Sequence, residues 1–310
     1  MRNICALLSL AFAMAALCGC QSNKSAEITA ASYNIHLAPT PESNAWNVRK
    51  DKIAALACFH DFDVFGTQEG YFHQLDSIVS GSGGAYAYVA HGRDDGQKGG
   101  ETSAILYKPE KFELLDSGCF WFAEDSSKPV LGWDAQCKRI CSWARLKDKK
   151  SGKDFYFFCL HFDHIGKVAR QKSAEMILKN VGEIAGEKPF IVVGDFNLPP
   201  SSEPMKTIMN NGLFVDSMSA SKTAPYIGST GTYHGYLGYS PKNNSERIDY
   251  VFVSKGMEVE KYGVLTDRII PDPNAKGKVP SINEDGSRNT TADKISYPSD
   301  HFPVMVKLKF

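Results

Sequence analysis

The stretch Ile191-Val192-Val193-Gly194-Asp195-Phe196-Asn197 decides how this chain is read: an apolar run ends in a carboxylate and a carboxamide two residues apart. Residues i and i+2 of an extended chain share a face, so Asp195 and Asn197 present their polar groups to one spot. A strand built almost wholly of Val and Ile is deeply buried, and a charge at its end is costly unless it meets a metal, a phosphate or a proton to move. Taken alone, Gly-Asp-x-Asn also fits a turn closed by an Asx hydrogen bond. What matters is whether other acids, amides and histidines converge on the same place.

The amino-terminal residues read as a targeting segment. Met1-Arg2-Asn3 gives a short positive start, and Ile4 to Leu17 is an apolar run too short to span a bilayer. Leu17-Cys18-Gly19-Cys20 and the polar Gln21 to Ser25 follow, the order of a bacterial lipoprotein signal cleaved before Cys20, which would carry lipid. The alternatives are an ordinary secretory signal and an uncleaved anchor. The expected division is a signal over 1–19, a tether over 20–26 and one domain over 27–310. The mature chain is then extracytoplasmic and membrane-tethered through Cys20. Lys24 and Glu27 favour neither membrane face.

About 290 residues beyond Cys20 suit a single two-sheet α/β unit. With 35 basic and 35 acidic residues, the chain lacks the basic footprint of a non-specific nucleic-acid binder, although a local basic patch is compatible with that total. Five cysteines follow Cys20: Cys58, Cys119, Cys137, Cys141 and Cys159. An odd number gives no full disulfide framework, and Cys137-x-x-x-Cys141 without a second pair is a poor zinc site. Buried small hydrophobes are expected, with one disulfide, Cys137 to Cys141, open.

Hydrophobic patterning predicts strands at Ile28 to His36, Asp63 to Thr67, Thr102 to Tyr107, Phe112 to Phe122, Ile140 to Leu146, Phe155 to His161, Pro189 to Phe196, Ile248 to Val253 and Val304 to Leu308. Helices are predicted at Trp46 to His60, Lys167 to Ile184 (closed by Gly186) and Glu203 to Asn210. In the first, Val48, Ile53, Leu56 and Ala57 mark one side and Arg49, Lys50 and Lys52 the other. Asp267 to Tyr297, rich in Asp, Pro, Asn, Gly and Lys, reads as a long loop. Adjacent strands with occasional helices suggest face-to-face sheets with helices outside.

Polar residues border these strands repeatedly. Asn34 follows Ala31-Ser32-Tyr33, Glu69 follows Phe65 to Gln68, and His161 ends Phe157 to Leu160. Asp249 opens Asp249 to Val253, and Asp300-His301 precede Phe302-Pro303-Val304. Singly, each has a bland reading as turn residue, core histidine or cap; six such sites in one chain exceed chance. The motifs Ser-Tyr-Asn-Ile (32–35), Gly-Thr-Gln-Glu (66–69), Cys-Leu-His-Phe-Asp-His (159–164), Gly-Asp-Phe-Asn (194–197), Gly-Thr-Tyr-His-Gly-Tyr (231–236), Arg-Ile-Asp-Tyr-Val-Phe (247–252) and Ser-Asp-His-Phe-Pro-Val (299–304) stand in this order. In that set the chain resembles the endonuclease/exonuclease/phosphatase superfamily of deoxyribonuclease I-like phosphoesterases, nearest to a bacterial lipoprotein branch. The resemblance implies an α/β fold, a four-layer α/β sandwich of two packed, mixed, mainly antiparallel sheets with the site at one end.

The resemblance also implies roles. Glu69 would be the chief ligand of Mg²⁺, with Asn34 and Asp300 close by; Mn²⁺ and a second ion are compatible. Asp195 would orient or deprotonate the attacking water and Asn197 would hold it or a phosphate oxygen. His301, oriented by Asp249, would contact phosphate as an acid or base, and His161 would bind or protonate phosphate or leaving-group oxygen. At this position the family carries Tyr or His, and this chain has His. Further candidates for substrate contact are Arg139, Asp163, His164, Arg170, His234, Trp121 and Trp133. Against them stand a structural salt bridge and helix start for Asp163, His164 and Arg170, and sheet packing for the aromatics. The expected activity is hydrolysis of a phosphate ester on a small molecule, lipid or nucleic acid, with no protein partner implied. The competing class is a binding lipoprotein that keeps the fold without catalysis.

Overall fold

The computed structural model describes residues 24–37, 45–227, 231–236, 247–267 and 297–310. The targeting segment, Cys20 and nearly all of the loop expected over Asp267 to Tyr297 lie outside the described residues. Among these, no helix is long and apolar enough to cross a membrane.

One sheet holds β1 (Glu27–Asn34), β2 (Val64–Gly70), β3 (Ala87–Val89), β4 (Thr102–Tyr107), β10 (Tyr226–Ile227), β12 (Glu258–Val264) and β13 (Val304–Lys309), in the order β10-β12-β13-β1-β2-β4-β3. The other holds β5 (Phe112–Trp121), β6 (Ile140–Asp148), β7 (Asp154–His161), β8 (Phe190–Asp195), β9 (Phe214–Asp216) and β11 (Asp249–Ser254), in the order β5-β6-β7-β8-β11-β9. Only β1–β2, β7–β8 and β10–β12 pair in parallel, so both sheets are mixed and mainly antiparallel. Alternate residues such as Ile28, Ile105, Phe157, Ile191, Val193, Val251 and Val304 fill the space between the sheets. On the outer face of the first sheet, α1 (Trp46–Phe59) and α2 (Phe72–Gly81) bury Ile53, Leu56, Leu75 and Ile78. On the far face of the second, α3 (Lys167–Ala185) and α4 (Glu203–Asn210) bury Ile177, Val181, Met205 and Ile208. A short α5 (Ser217–Ala220) follows β9. This is the four-layer sandwich the sequence implies.

Three local expectations are corrected. In α1 the inward face carries Arg49, 1% exposed, while Val48 turns to solvent. The Arg49 guanidinium donates to the carbonyls of Ile35 at 2.6 Å, Pro298 at 3.0 Å and His36 at 3.2 Å. A buried charge thereby ties together the segments that follow β1 and precede β13. All five cysteines are free, so Cys137 and Cys141 form no disulfide, and Cys58 is exposed rather than buried. The elements α2, α5, β3, β9, β10 and β12 have no counterpart in the sequence reading.

The sheets approach closely at Gly66, where an added Cβ would collide with Val193 Cγ2 and with Cys159 Sγ across the interface. Gly66→Ala is therefore expected to destabilise the fold by about 2 kcal/mol through overpacking. Urea unfolding would show this as a lowered midpoint at unchanged slope.

Candidate active site

The strand register brings the site together. His161, the last residue of β7, lies opposite Asp195, the last of β8, and Asp195 also lies opposite Asp249, the first of β11. Asn34 and Glu69 reach the same end from β1 and β2, and His301 enters just before β13. Glu69, His161, Asp195 and His301 border a pocket of about 370 Å³ that also exposes Asp300, Arg139 and His164, with Asn34 and Asp249 buried behind them. A larger concavity, about 570 Å³, involves Lys24, Glu27, Lys111 and Asp148 and contains none of the residues just named.

Asn34 Nδ2 donates to Glu69 Oε1 at 2.9 Å and to Asp195 Oδ2 at 3.2 Å, holding the two carboxylates side by side. The second Glu69 oxygen accepts the Leu37 N–H at 3.1 Å. Asn197 donates its backbone N–H to Asp195 Oδ1 at 2.9 Å, closing the expected Asx turn, and its side-chain amide to His161 Nε2 at 3.1 Å. Asp195 Oδ2 lies 3.5 Å from His161 Nε2 and 3.7 Å from His301 Nε2. Behind His301, Asp249 Oδ2 accepts from Nδ1 at 2.8 Å. His36, Glu69, Asn197 and Tyr236 have φ between 50° and 66°. For non-glycine residues this backbone costs on the order of 1–3 kcal/mol each and is typical of functional sites.

Burial and neighbouring charge split the titration of these groups. Burial raises the Asp195 carboxyl to about 7, reinforced by the Asp249 carboxylate and opposed by the positive His301. Burial, joined by the Arg139 and Arg93 guanidiniums, drives His161 well below its ordinary value, so the ring is neutral. Burial works against a charge on His301 too, but Asp249, then Asp195 and Asp300, hold its imidazolium well above the usual range. One histidine is thus an acceptor and the other a proton donor.

The donor set fits a hard divalent cation. Oxygens of Glu69 and Asp195 and a ring nitrogen of His161 lie within 4.8 Å of one another. Among the described ion pairs none engages Glu69, leaving its charge for a cation. Asn34 turns its nitrogen to the carboxylates, and Asp300 borders the pocket 3.8 Å from His36 Nε2.

Five expected substrate contacts are placed elsewhere. The buried Asp163 carboxylate accepts N–H groups of Gln136, Cys137, Ile165 and Gly166, with Arg139 Nε at 3.5 Å. Arg170 reaches the Asp163 carbonyl. Trp121 is buried and donates its indole N–H to the Arg93 carbonyl at 2.9 Å, while Trp133 packs against the cluster beneath α3. His234 is sandwiched between Phe302 and Tyr297, and its burial lowers the ring to about 3. None of these five residues lines the pocket. Conversely, the pocket includes His36, Arg93, Glu101 and Tyr233, which sequence reasoning missed. The available signal was Arg93 and Glu101 bracketing a segment with Gly96, Gly99 and Gly100.

Fold and site together give a phosphoesterase fold with a cation-competent cluster, and the chain belongs to the Endonuclease/Exonuclease/phosphatase family, which it matches over residues 31–301. Members of this family hydrolyse phosphoesters, generally with a divalent metal. The chain is similar to an endonuclease/exonuclease/phosphatase family protein of Bacteroides thetaiotaomicron: 37% identity and a TM-score of 0.80 over 93% of this chain and 99% of that one. It is equally similar to a mannosyl-6-phosphatase of Bacteroides thetaiotaomicron VPI-5482, with 37% identity and a TM-score of 0.79 over 91% of this chain and 100% of that one. Protein angel of Drosophila melanogaster is 28% identical over 182 residues, 56% of this chain and 49% of that protein. The chain thus spans about half the length of that relative.

Asp163 yields a stability prediction. Burial raises its carboxyl, but the backbone N–H groups and Arg139 outweigh it and hold the group at about 2. A depressed carboxyl stabilises the fold fully above its unfolded value and loses that contribution as pH falls through about 2. Asp163→Asn is expected to cost about 2 kcal/mol at neutral pH, the scale of hydrogen bonds to a charged group. Thermal melts between pH 6 and pH 2 should decline less steeply in the variant than in the parent.

Proposed function

We propose that this chain is a divalent-cation-dependent phosphomonoesterase acting on a phosphorylated sugar, held outside the cytoplasm by a lipid anchor at Cys20. The observation that carries the hydrolytic reading is the convergence of Glu69, Asp195 and His161 donor atoms within 4.8 Å, beside the His301–Asp249 pair. Glu69 would hold the cation, with Asp195 next to it and Asn34 and Asp300 around it. Mg²⁺ suits this oxygen-rich set, and Mn²⁺ is the alternative. When bound, the cation would draw off charge from the phosphate oxygens.

The protein groups supply the rest. Asp195, whose carboxyl titrates near neutrality, takes the proton of a water that it and Asn197 align toward phosphorus. His301 presents Nε2–H to the phosphate and leaving oxygen, its charge sustained by Asp249. Neutral His161 accepts from Asn197 and fixes that amide. Arg139 faces the pocket as a further cation for an anionic substrate.

Support for a sugar phosphate comes from the likeness to the mannosyl-6-phosphatase, which extends over nearly all of that protein. The pocket agrees: it is edged by charged and polar groups, and neither Trp121 nor Trp133 offers a platform for a base. Retention of Asn34, Glu69, His161, Asp195, Asn197, Asp249 and His301 in bonded geometry speaks against a binding protein without catalysis.

The test is hydrolysis of mannose 6-phosphate, p-nitrophenyl phosphate, bis-p-nitrophenyl phosphate and single-stranded DNA with Mg²⁺ or with EDTA. Monoester turnover that EDTA abolishes, and that Asp195→Asn lowers roughly 10²- to 10⁴-fold, is expected. Faster cleavage of the diester or DNA would replace this reading with a nuclease, and no metal-dependent turnover would leave a binding protein. For the anchor, radiolabelled palmitate should enter the parent chain in bacterial cells and fail to enter Cys20→Ala.

A further inference from the structure

The loop 92–101 contributes Arg93 and Glu101 to the wall of the pocket. The two stand at the ends of that loop and meet in a two-pronged ion pair, Nη1 to Oε2 at 2.7 Å and Nη2 to Oε1 at 2.6 Å. Both side chains border the pocket and both are largely buried, at 17% and 12% exposure. The loop does not need this pair to hold its shape. Arg93 N–H already bonds the Glu101 carbonyl, Gly92 N–H the Gln97 carbonyl and Asp94 N–H the Gly99 carbonyl. Asp95 Oδ1 accepts from Gln97 and Gly99, and the loop is pinned to the second sheet by Trp121 Nε1 on the Arg93 carbonyl and Lys138 Nζ on that of Asp94. Removing two charges from water to join them is at best weakly stabilising compared with apolar packing. Two half-desolvated charges that face a pocket from a loop already fixed by other bonds therefore suit a ligand.

The pair's chemistry narrows what that ligand presents. A phosphate offers acceptors alone and would be repelled by Glu101. The guanidinium suited to phosphate is Arg139, which borders the pocket while its Nε bonds Asp163 and its Nη2 bonds His164. A hydroxyl both donates and accepts, so neighbouring hydroxyls match a carboxylate oxygen beside a guanidinium N–H. A nucleobase would also meet donors and acceptors there, but it would call for an open aromatic face. Tyr233 at this pocket leans on the His301 imidazole with ring centroids 4.9 Å apart and is 45% exposed, so base stacking is the competing outcome that the nucleotide arm below tests.

We propose that Arg93 and Glu101 read the hydroxyl groups of a phosphorylated hexose and so set the specificity of the site, while Arg139 and the strand-end residues take the phosphate. This rests on the sugar-phosphate reading above. Trp121 and Lys138 serve as positioning residues that hold the loop in place. Leaving a buried polar partner without its hydroxyl is the kind of mismatch that discriminates strongly between substrates.

The experiment compares mannose 6-phosphate, p-nitrophenyl phosphate and a nucleoside 5′-monophosphate as substrates of the parent chain, Glu101→Gln and Arg93→Lys, each first checked for its unfolding midpoint. Arg93→Lys keeps the charge if Glu101→Gln folds poorly. Calorimetric titration with inorganic phosphate and with mannose 6-phosphate gives a second readout. The expected result is a loss of at least tenfold in kcat/KM and affinity for mannose 6-phosphate, with p-nitrophenyl phosphate turnover and inorganic phosphate binding kept within about twofold. A parallel loss on both substrates, or no loss on either, overturns the inference while leaving the phosphatase reading standing. A parent chain that ignores mannose 6-phosphate or prefers the nucleotide overturns both, and it does so before any variant is made.

Discussion

Everything at the site depends on one register. Asp195 sits opposite His161 on a parallel neighbour and opposite Asp249 on an antiparallel one. Because side chains alternate along a strand, slipping either neighbour by one residue would turn its polar end group to the other face. The register is fixed from below by Val193, Val251 and Cys159, packed against the other sheet at the point where Gly66 lets the two approach. A dry core and a polar rim are thus two ends of the same strands. The charges at the rim are tolerated because each is bonded: Asn34 to both carboxylates, Asp249 to His301, Asn197 to His161.

That crowding also assigns the protons. Burial and then the Asp249 carboxylate raise the cost of ionising Asp195, and His301 relieves it by taking a proton, while burial, joined by Arg139 and Arg93, denies one to His161. Two imidazoles within 4 Å of the same carboxylate oxygen therefore arrive in opposite states. A phosphate between them meets a donor on one side and a fixed amide on the other. In the proposed mechanism a cation at Glu69, the His301 donor and Asp195 as the water-aligning carboxylate would act from one end of the sheets.

Much of this was legible in the sequence, and for a physical reason. A strand buried on both faces reads as an unbroken apolar run, so a polar residue at its end stands out, as at His161, Asp195 and Asp249. The helices α3 and α4 read well because their burial repeats at helical spacing. Elements that bury little escaped: Phe214–Asp216 and Tyr226–Ile227 are too short, and Glu258–Val264 carries Glu and Lys on its open face. Arg49 misled the reading of α1, since a charge that caps backbone carbonyls looks like a solvent-facing residue. Trp121 misled in the opposite sense: its closeness to the site is real, but its indole holds up the Arg93 loop rather than meeting substrate. Arg93 and Glu101 were silent because the glycines between them mark a turn and say nothing about where it points.

The central claim is that Asp195 and His301 act as one unit on one water and one phosphate. A double-mutant cycle on kcat/KM with Asp195→Asn, His301→Gln and the combined variant tests it most directly. Groups acting as a unit lose their effect together, so the double variant should be no slower than the slower single one. Losses that multiply across the two positions would contradict the account.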